Sequence, residues 1–366
     1  MTEFLLTGPG SAVRASGVRE VHHDPWAAAD ALRAGRAATI AGALPFDPRG
    51  PAALVEPADL TRTAGPWRPA ALPELPRLRV VRETPEPAEH RARVAALVEL
   101  LTGSGTPLRK VVAARSVLVE AEAALEVEVA AAYLLTRHPQ ASVFTVDLTP
   151  AGRAGAVLLG ASPELLIRRQ GSQVSAYPLA GTAPRDPNPE ADSAQAHRLA
   201  DSAKERSEHA FVVDWIADRL APVCTGLSLP ESPRLVGTRE VWHLGTPIHG
   251  VLREPAPNAL ELALLLHPTP AVCGTPTAAA LEYITEFEED RGFYGGAVGW
   301  CDEHGDGSWA VAVRSAELAA DGLSLRAWAG GGIVAGSDPQ AELDETTVKL
   351  GTLLGALNCA VPAATE

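Results

Sequence analysis

The 366-residue sequence contains only four cysteines, no long apolar run and fewer positive than negative charges. The cysteines, at positions 224, 273, 301 and 359, form no Cys-x-x-Cys pair, so we expect buried free thiols rather than zinc ligands or disulfides. No apolar run is long enough for a transmembrane helix. The first residues also lack the basic start and apolar core of a signal peptide. The sequence therefore predicts a cytoplasmic location and no membrane partner.

The charge balance argues against a polyanionic partner. The chain has 31 Lys and Arg against 45 Asp and Glu, a formal net charge of −14. A field of this sign repels nucleic acid and acidic membrane surfaces, so we expect neither as a partner. A small anionic ligand would need Lys, Arg or a metal ion close to it to offset the surrounding field.

The pattern of apolar residues and turn signals favours an α+β fold. Short strands are expected in the proline-rich residues 1–87, where proline excludes long helices. Later helices are predicted at 88–101, 126–136, 189–220 with a break, 258–266, 276–289 and 339–357. Later strands are predicted at 110–115, 141–148, 155–160, 173–177, 236–252, 296–301, 308–318 and 324–330. Because strands come in runs, large antiparallel sheets with flanking helices are favoured over a doubly wound parallel sheet.

Two pairs of glutamates share an i,i+3 spacing. Glu205 and Glu208 form the first pair, Glu342 and Glu345 the second, and both lie in stretches with a helical pattern. Residues three apart lie on one helix face, and two such faces brought together would supply the oxygen ligands that Mg²⁺ prefers. The same spacing is common on solvated helices, where lysines four residues away form weak ion pairs. Spacing alone leaves both interpretations open.

Two single residues are candidates for proton transfer. Lys110 begins an otherwise apolar strand, so its side chain either reaches solvent or faces a pocket and acts as a base. Glu164 follows Ser162 and Pro163 and precedes two leucines. It is either a surface residue or an inward-pointing acid with a raised pKa.

Three further features could contact an anionic ligand. Arg314, in an alternating strand pattern, is either a snorkelling side chain or an anion clamp. His243 is either a satisfied core histidine or a ligand contact. The run Gly330–Gly332 lacks the order of a dinucleotide fingerprint, but its N–H groups could approach a carboxylate closely.

Seven strings together resemble the chorismate-utilising enzymes. They are KVVAAR (110–115), GASPELL (160–166), YPLAGT (177–182), SAKERSEH (202–209), LHPTPAVCGTP (266–276), GFYGGAVGW (292–300) and AGGGIVAGSDPQAELDET (329–346). This family comprises isochorismate synthases, salicylate synthases and the synthase components of anthranilate and aminodeoxychorismate synthases. The resemblance is nearest to the isochorismate synthases of siderophore-type pathways. It implies the fold of anthranilate synthase component I, with residues 1–366 as a single domain that has a variable part, 1–87, and a motif-bearing part, 88–360.

The resemblance also implies a reaction. Lys110 corresponds to the general base that activates water for attack at ring C2, and Glu164 to the general acid that protonates the departing C4 hydroxyl. Ala180 replaces the lysine nucleophile usual in aminodeoxychorismate enzymes, and Lys110 favours water over ammonia. Salicylate synthases share both proton-transfer residues and remain an alternative, as does a non-catalytic relative that binds chorismate or metal.

Ligands and partners follow from the same resemblance. Glu208 and Glu345 correspond to direct Mg²⁺ ligands, with Glu205 and Glu342 in support. The implied substrate contacts are Gly181, Thr182, His243, Thr246, Tyr294, Arg314, Gly331, Gly332 and Lys349. We expect chorismate as the substrate of a monomer without an amidotransferase subunit. Ala183 and Asp186 stand where the family commonly has Arg and Gly, which puts the conformation of that loop in doubt.

Overall fold

The computed structural model describes residues 3–69 and 71–361, and within them the chain forms twenty strands and eight α-helices. The helices are α1 (Pro25–Arg33), α2 (Pro87–Thr102), α3 (Val127–Arg137), α4 (Pro189–Asp201), α5 (Ala203–Leu220), α6 (Ala259–Leu266), α7 (Thr277–Phe287) and α8 (Pro339–Ala356). The first ten strands are β1 (Phe4–Thr7), β2 (Ser11–His22), β3 (Thr39–Leu44), β4 (Ala53–Ala64), β5 (Leu78–Thr84), β6 (Lys110–Ala121), β7 (Ser142–Asp147), β8 (Val157–Ser162), β9 (Leu165–Gln170) and β10 (Gln173–Tyr177). The others are β11 (Leu179–Pro184), β12 (Cys224–Ser228), β13 (Arg234–Gly237), β14 (Val241–Gly245), β15 (Ile248–Leu252), β16 (Gly274–Thr275), β17 (Ala297–Asp302), β18 (Gly307–Val311), β19 (Ser315–Leu318) and β20 (Ser324–Ile333).

Antiparallel pairing dominates the molecule. Seventeen of the described strands are connected in one hydrogen-bonded sheet, and β11, β14 and β13 form a second, small sheet. Every pairing between described strands is antiparallel. The predicted α+β class with large antiparallel sheets and flanking helices is confirmed.

The pairing of β6 with β20 places the glycine run opposite the first residues of β6. The register runs from Ser324 opposite Glu120 to Ile333 opposite Val111. β6 is rich in valine, which suits a buried strand. The predicted end of the last strand at residue 330 is wrong, because the three glycines continue β20 to Ile333.

Both predicted glutamate pairs begin in the first turn of a helix. Ser202 has φ −67° and ψ 116°, which interrupts the helical region, and its Oγ accepts a hydrogen bond from the N–H of Glu205 at 3.3 Å. Asp338 caps α8 in the same way, with Pro339 at the first helical position. Helix N-termini favour negative charge, so these caps position Glu205 and Glu342 where carboxylates are stabilised.

Several predicted boundaries need correction. β9 and β11 were not predicted, and the predicted strand 308–318 is two strands, because the chain leaves the sheet between β18 and β19. Arg314 lies in that break with φ 52°, so its predicted place within a strand is wrong. β2 and β4 have 12 residues each and are not short.

The core lies on both sides of the large sheet. One apolar cluster joins α5 and α6 to strands such as β3 and β9, and a second joins α3 and α8 to β6 and β20. All four cysteines are buried and free. Among the helices of the described residues, none combines the length and apolar character needed to span a bilayer.

Candidate active site

A cavity opens where β6, β20, α5, α8 and the small sheet meet. Nine residues singled out from the sequence lie in its wall: Glu164, Gly181, Thr182, Glu208, His243, Tyr294, Arg314, Gly332 and Lys349. The remaining wall is mostly apolar or backbone: Val112, Pro163, Leu179, Ala180, Ala271, Val272, Val313 and Gly330.

Lys110 lies just behind this wall at the start of β6. Its side chain is 0% exposed, and its Nζ is 2.9 Å from Oε1 of Glu208. Nζ has this ion-pair partner but no aligned hydrogen-bond acceptor among the described residues. The interpretation of Lys110 as a solvated strand-end lysine is therefore wrong, and part of its hydrogen-bonding capacity is unused.

Glu208, on α5, carries the matching negative charge. Burial acts to raise the pKa of its carboxyl, but the adjacent Lys110 ammonium, with Lys349 and Lys204, outweighs burial and lowers that pKa. Glu208 is therefore ionised in this arrangement.

The carboxyl of Glu164, unlike that of Glu208, has a raised pKa. The residue is buried, and its N–H donates to Oγ of Ser162 at 3.2 Å. Burial raises the pKa of the Glu164 carboxyl to about 7, against the lowering effects of a backbone hydrogen bond with Leu179 and the charge of Arg314. The surface interpretation of Glu164 is wrong, and a substantial fraction of this carboxyl is protonated at neutral pH.

The glycine run lets charged side chains approach the backbone of β20. A Cβ on Gly332 would overlap Oε1 of Glu208 and lie 2.7 Å from Cε of Lys110. A Cβ on Gly331 would lie 2.8 Å from Oε2 of Glu342. An alanine at either position would therefore push a glutamate carboxylate aside, that of Glu208 at Gly332 and that of Glu342 at Gly331. Gly332 lines the cavity, whereas Gly331 lies behind its wall.

Lysines partner the other three glutamates. Lys204 Nζ is 3.1 Å from Oε1 of Glu342 and 3.5 Å from Oε1 of Glu205. Lys349 pairs with Glu345 and donates to the carbonyl oxygen of Gly330 at 3.1 Å. One interpretation of the i,i+3 glutamate pairs was that they form ion pairs with lysines on the same helix, as Glu345 does with Lys349. Lys204 differs, because its ion pair with Glu342 joins α5 to α8.

The four carboxylates still lack sufficient positive charge. Burial, followed by the charge of Glu208, raises the pKa of Glu205. Burial, followed by the charge of Glu345, raises the pKa of Glu342 to about 7. Across residues 3–69 and 71–361, no three His, Cys, Asp or Glu side chains form a ready-made metal cluster. Hard oxygen donors at which nearby carboxylates raise the pKa of Glu205 and Glu342 nevertheless fit a divalent cation such as Mg²⁺.

Arg314 and His243 form a hydrogen-bonded chain on the opposite side of the cavity. The guanidinium donates to Nε2 of His243 at 3.3 Å, so the ring proton lies on Nδ1, which is 3.1 Å from the carbonyl oxygen of Gly181. Oγ1 of Thr182 is 3.2 Å from the same nitrogen. Burial, followed by the charges of Arg314 and Lys349, lowers the pKa of His243 to about 3. His243 is thus a neutral, satisfied histidine that also faces the cavity.

Tyr294 and Thr246 take different positions. Tyr294 stacks on Trp328 with ring centroids 6.2 Å apart, and its hydroxyl lies next to Gly330 in the cavity wall. Thr246 lies behind the wall, where its Oγ1 is 2.7 Å from Nε2 of His209. The structure therefore brings Tyr294, but not Thr246, to the cavity.

The unusual residues after Thr182 have structural roles. Ala183 is buried against Leu199 and Leu244, where a larger side chain would have to displace them. Asp186 accepts a hydrogen bond from the N–H of Asn188 at 2.8 Å. The loop is thus ordered without the arginine and glycine common in the family.

Two groups of site residues were not recognised from the sequence. The apolar wall residues, such as Leu179 and Val313, give no signal, because an apolar residue in a strand or loop looks like core. Lys204 is the second case. Its place beside Glu205 is evident from the sequence, but its ion pair with Glu342 could not be predicted, because Glu342 lies on the distant helix α8.

Comparison with known proteins agrees with this geometry. A family model described as chorismate binding enzyme matches residues 67–358. A Mycobacterium tuberculosis protein, provisionally named the isochorismate synthase MenF, is 49% identical over 97% of this chain and 95% of its own length. The isochorismate synthase DhbC of Bacillus subtilis is 41% identical over 87% of this chain and 80% of its own length.

A solved structure shows the same fold throughout. A Bacillus anthracis structure, provisionally described as DhbC, a 2,3-dihydroxybenzoate-specific isochorismate synthase, has a TM-score of 0.89 at 35% identity. The likeness covers 98% of this chain and 96% of the other. By the family model and these relatives, the chain belongs to the chorismate-binding enzyme family.

Proposed function

We propose that this protein is an isochorismate synthase, which converts chorismate to isochorismate. The close relatives named isochorismate synthase support this reaction. Glu164 carries the proposal within the structure, because a buried carboxyl with a pKa near 7 can donate a proton at neutral pH. A non-catalytic binding protein would have no need of that carboxyl together with the buried Lys110.

In the proposed reaction, Lys110 in its neutral form removes a proton from water as the water oxygen bonds to ring C2. The two ring double bonds shift, and the C4–O bond breaks. Glu164 gives its proton to the departing hydroxyl, which leaves as water. One water is consumed and one is released, so the reaction is an isomerisation. The two proton-transfer residues act at the two ends of this shift.

We propose that the substrate carboxylates are held by opposite sides of the cavity. Arg314 and Tyr294, with N–H groups of the glycine run, would hold the enolpyruvyl carboxylate, and Lys349 would add positive charge. Gly181, Thr182 and His243 would line the ring pocket, with Thr246 supporting them from behind. His243 would also fix the guanidinium of Arg314, which donates to it at 3.3 Å.

We propose Mg²⁺ as the cofactor. Glu208 and Glu345 would hold it directly, and Glu205 and Glu342 would support them through water or hydrogen bonds. When bound, the ion supplies a Lewis acid for the ring carboxylate. Besides burial, the charges of Glu208 and Glu345 raise the pKa values of Glu205 and Glu342, and this crowding of carboxylates supports the assignment.

We also propose that the chain works as a monomer without an amidotransferase subunit. Water is the nucleophile in the proposed reaction, so no ammonia has to be delivered. Light scattering of the purified protein would test the first part. Turnover by the chain alone, without glutamine, would test the second.

Product identification from chorismate tests the function. The protein with Mg²⁺ should give isochorismate on chromatography, and EDTA should abolish the reaction until Mg²⁺ is restored. Salicylate with pyruvate would instead identify a salicylate synthase. Chorismate binding without any product, in protein that calorimetry shows to bind Mg²⁺, would reject an enzymatic role.

A further inference from the structure

One edge of β6 lacks a strand neighbour beside the candidate active site. β16 pairs with β6 only at Lys110 and Val111. β5 pairs with β6 from Ala121 to Ser116 and no further. The N–H of Val112 still donates to the carbonyl oxygen of Cys273 at 2.8 Å. Among the described strands, residues 113–115 have no partner on this edge. Unpaired N–H and C=O groups are costly when buried, so other groups must satisfy them.

A buried ion pair fills this gap. Arg291 is 2% exposed, and its guanidinium donates to Oε2 of Glu288 at 2.6 and 2.8 Å. The guanidinium also donates to the carbonyl oxygen of Val112 at 2.7 Å. Oε1 of Glu288 accepts from the N–H of Ala114 at 2.9 Å. Val112 and Ala114 are two residues apart, so these groups point to the same edge of β6, and the pair replaces a missing strand.

Arg291 joins β6 to two other parts of the cavity wall, one through its guanidinium and one through its backbone carbonyl. It donates to the carbonyl oxygen of Val272 at 2.9 Å, and Val272 lines the cavity. The carbonyl oxygen of Arg291 accepts from the N–H of Tyr294 at 2.9 Å. Phe46 lies under the guanidinium, with 4.5 Å from Cζ to the ring centroid. The guanidinium makes four hydrogen bonds from a rigid, spread fork, whereas a lysine ammonium has three donors on one atom, so lysine would not substitute for Arg291.

We propose that Arg291, held by Glu288, is a positioning residue for the reaction. It fixes the segment of β6 that sets Lys110 behind the cavity, relative to the wall formed by Val272 and Tyr294. This role rests on the proposed function. Catalysis depends on the placement of the reacting groups to within about 1 Å, so a small shift of β6 is expected to reduce turnover.

Arg291→Lys tests this role, because it keeps the positive charge and removes the fork. We expect kcat to fall by roughly 10- to 100-fold with KM close to the wild-type value, since Arg314 and Lys349 remain. Arg153→Lys is the matched control. The guanidinium of Arg153 pairs with Glu317 and with Asp290, the residue directly before Arg291. These hydrogen bonds do not reach β6. A variant Arg291→Lys with wild-type kcat would overturn the proposal.

A double-mutant cycle separates positioning from general stability. If Arg291 acts through Lys110, then Arg291→Lys should reduce turnover much less in a Lys110→Ala background than in the wild type. Equal losses in both backgrounds would reject the role. Should Arg291→Lys not fold, Glu288→Asp keeps the charge and withdraws the oxygen from the N–H of Ala114, with the same expected result.

Amide hydrogen exchange tests the placement without turnover. Arg291→Lys should speed exchange in residues 110–115 and leave the segment paired with β5, residues 116–121, unchanged. Uniformly faster exchange would indicate lost global stability and would contradict a positioning role. If the wild type produces no isochorismate, the proposed function fails. Selective exchange in residues 110–115 would then still support the fixing of β6 by Arg291.

Discussion

At the scale of single residues, Lys110 and Glu164 are both buried, but only Lys110 has a short ion pair that compensates its charge. Glu164 lies among cations without a short ion pair in the described residues, so the cost of burying charge dominates and its pKa rises to about 7. Lys110 is paired with Glu208 at 2.9 Å, so its charge is compensated in the absence of substrate. The proposed acid, Glu164, therefore holds its proton in part at neutral pH, whereas the proposed base, Lys110, is engaged in an ion pair.

Removing either proposed proton-transfer group should strongly reduce turnover and spare substrate binding. We expect Lys110→Ala and Glu164→Gln each to lower kcat by roughly 10²- to 10⁴-fold, the usual contribution of general acid–base catalysis. The chorismate Kd should stay near the wild-type value, because Arg314 and Lys349 remain. Steady-state kinetics and calorimetry with chorismate measure the two quantities.

Arg109→Ala is the control for Lys110→Ala, because Arg109 is adjacent in sequence but exposed. It should leave kcat unchanged. Wild-type rates in either Lys110→Ala or Glu164→Gln would refute the acid and base roles.

The pKa of Glu164 sets a pH limit on the reaction. Only the protonated carboxyl can serve as the acid, and its pKa is raised to about 7 by burial. We expect kcat to fall as pH rises above about 7, approaching tenfold per pH unit. A kcat profile from pH 6 to pH 9 measures this. The residual activity of Glu164→Gln should lack the alkaline limb, and a wild-type profile that stays flat to pH 9 would show that Glu164 is not the acid.

At the scale of elements, the glycine run of β20 determines how closely α5 and β6 approach each other. Gly332→Ala should abolish turnover, because the added Cβ would overlap Oε1 of Glu208 and lie 2.7 Å from Cε of Lys110. Gly336→Ala is the control, because a Cβ there meets nothing within 4 Å. Kinetics of the two purified variants test the prediction. Equal activity in both would mean that the close approach is not needed.

Elements with local signals could be predicted from the sequence. α3, α6 and α8 were placed to within one or two residues, because their apolar spacing lies within the helix itself and, for α6 and α8, the capping residues Asn258 and Asp338 directly precede it. β9 and β11 were missed, because short apolar runs do not distinguish strand from loop. The left-handed backbone of Arg314 depends on packing between β18, β19 and β8, which no local pattern records.

In the candidate site, too, some features could be predicted from the sequence and others could not. The family resemblance pointed to all four charged residues of the cavity wall, of which Glu164 and Glu208 stand in the motif strings and Arg314 and Lys349 lie outside them. The ion pair of Lys110 with Glu208, the bridge from Lys204 to Glu342 and the support of β6 by Arg291 join segments far apart in the chain. Such contacts follow from tertiary packing and could not be predicted from one sequence.

At the scale of the whole molecule, an acidic protein places four of its 31 Lys and Arg residues around one cavity. With a net charge of −14, the surface as a whole repels an anionic substrate. The four are Lys110, Lys204, Lys349 and Arg314, which lie at or just behind the cavity wall, beside four glutamates. The local electrostatic field therefore depends on which carboxylates are ionised or bound to a cation.

Buried histidines make the stability of the fold depend on pH. Burial, followed by neighbouring positive charges, lowers the pKa of both His90 and His243 to about 3. At these two side chains the unfolded chain therefore binds more protons than the folded chain below about pH 6.5. Their contribution to the free energy of unfolding should fall as pH decreases, by up to about 1.4 kcal/mol per pH unit for each histidine.

Denaturant unfolding at pH 7, 6 and 5 measures this dependence in the wild type and in His90→Leu. His90 is 0% exposed on α2 and lies outside the cavity wall, so its replacement tests stability without altering the site. Between pH 6 and pH 5, the free energy of unfolding should depend less steeply on pH in the variant than in the wild type. The difference should correspond to one histidine, because the variant takes up one proton fewer on unfolding. An unchanged slope in His90→Leu would mean that His90 is charged in the folded protein, and that burial does not control its pKa.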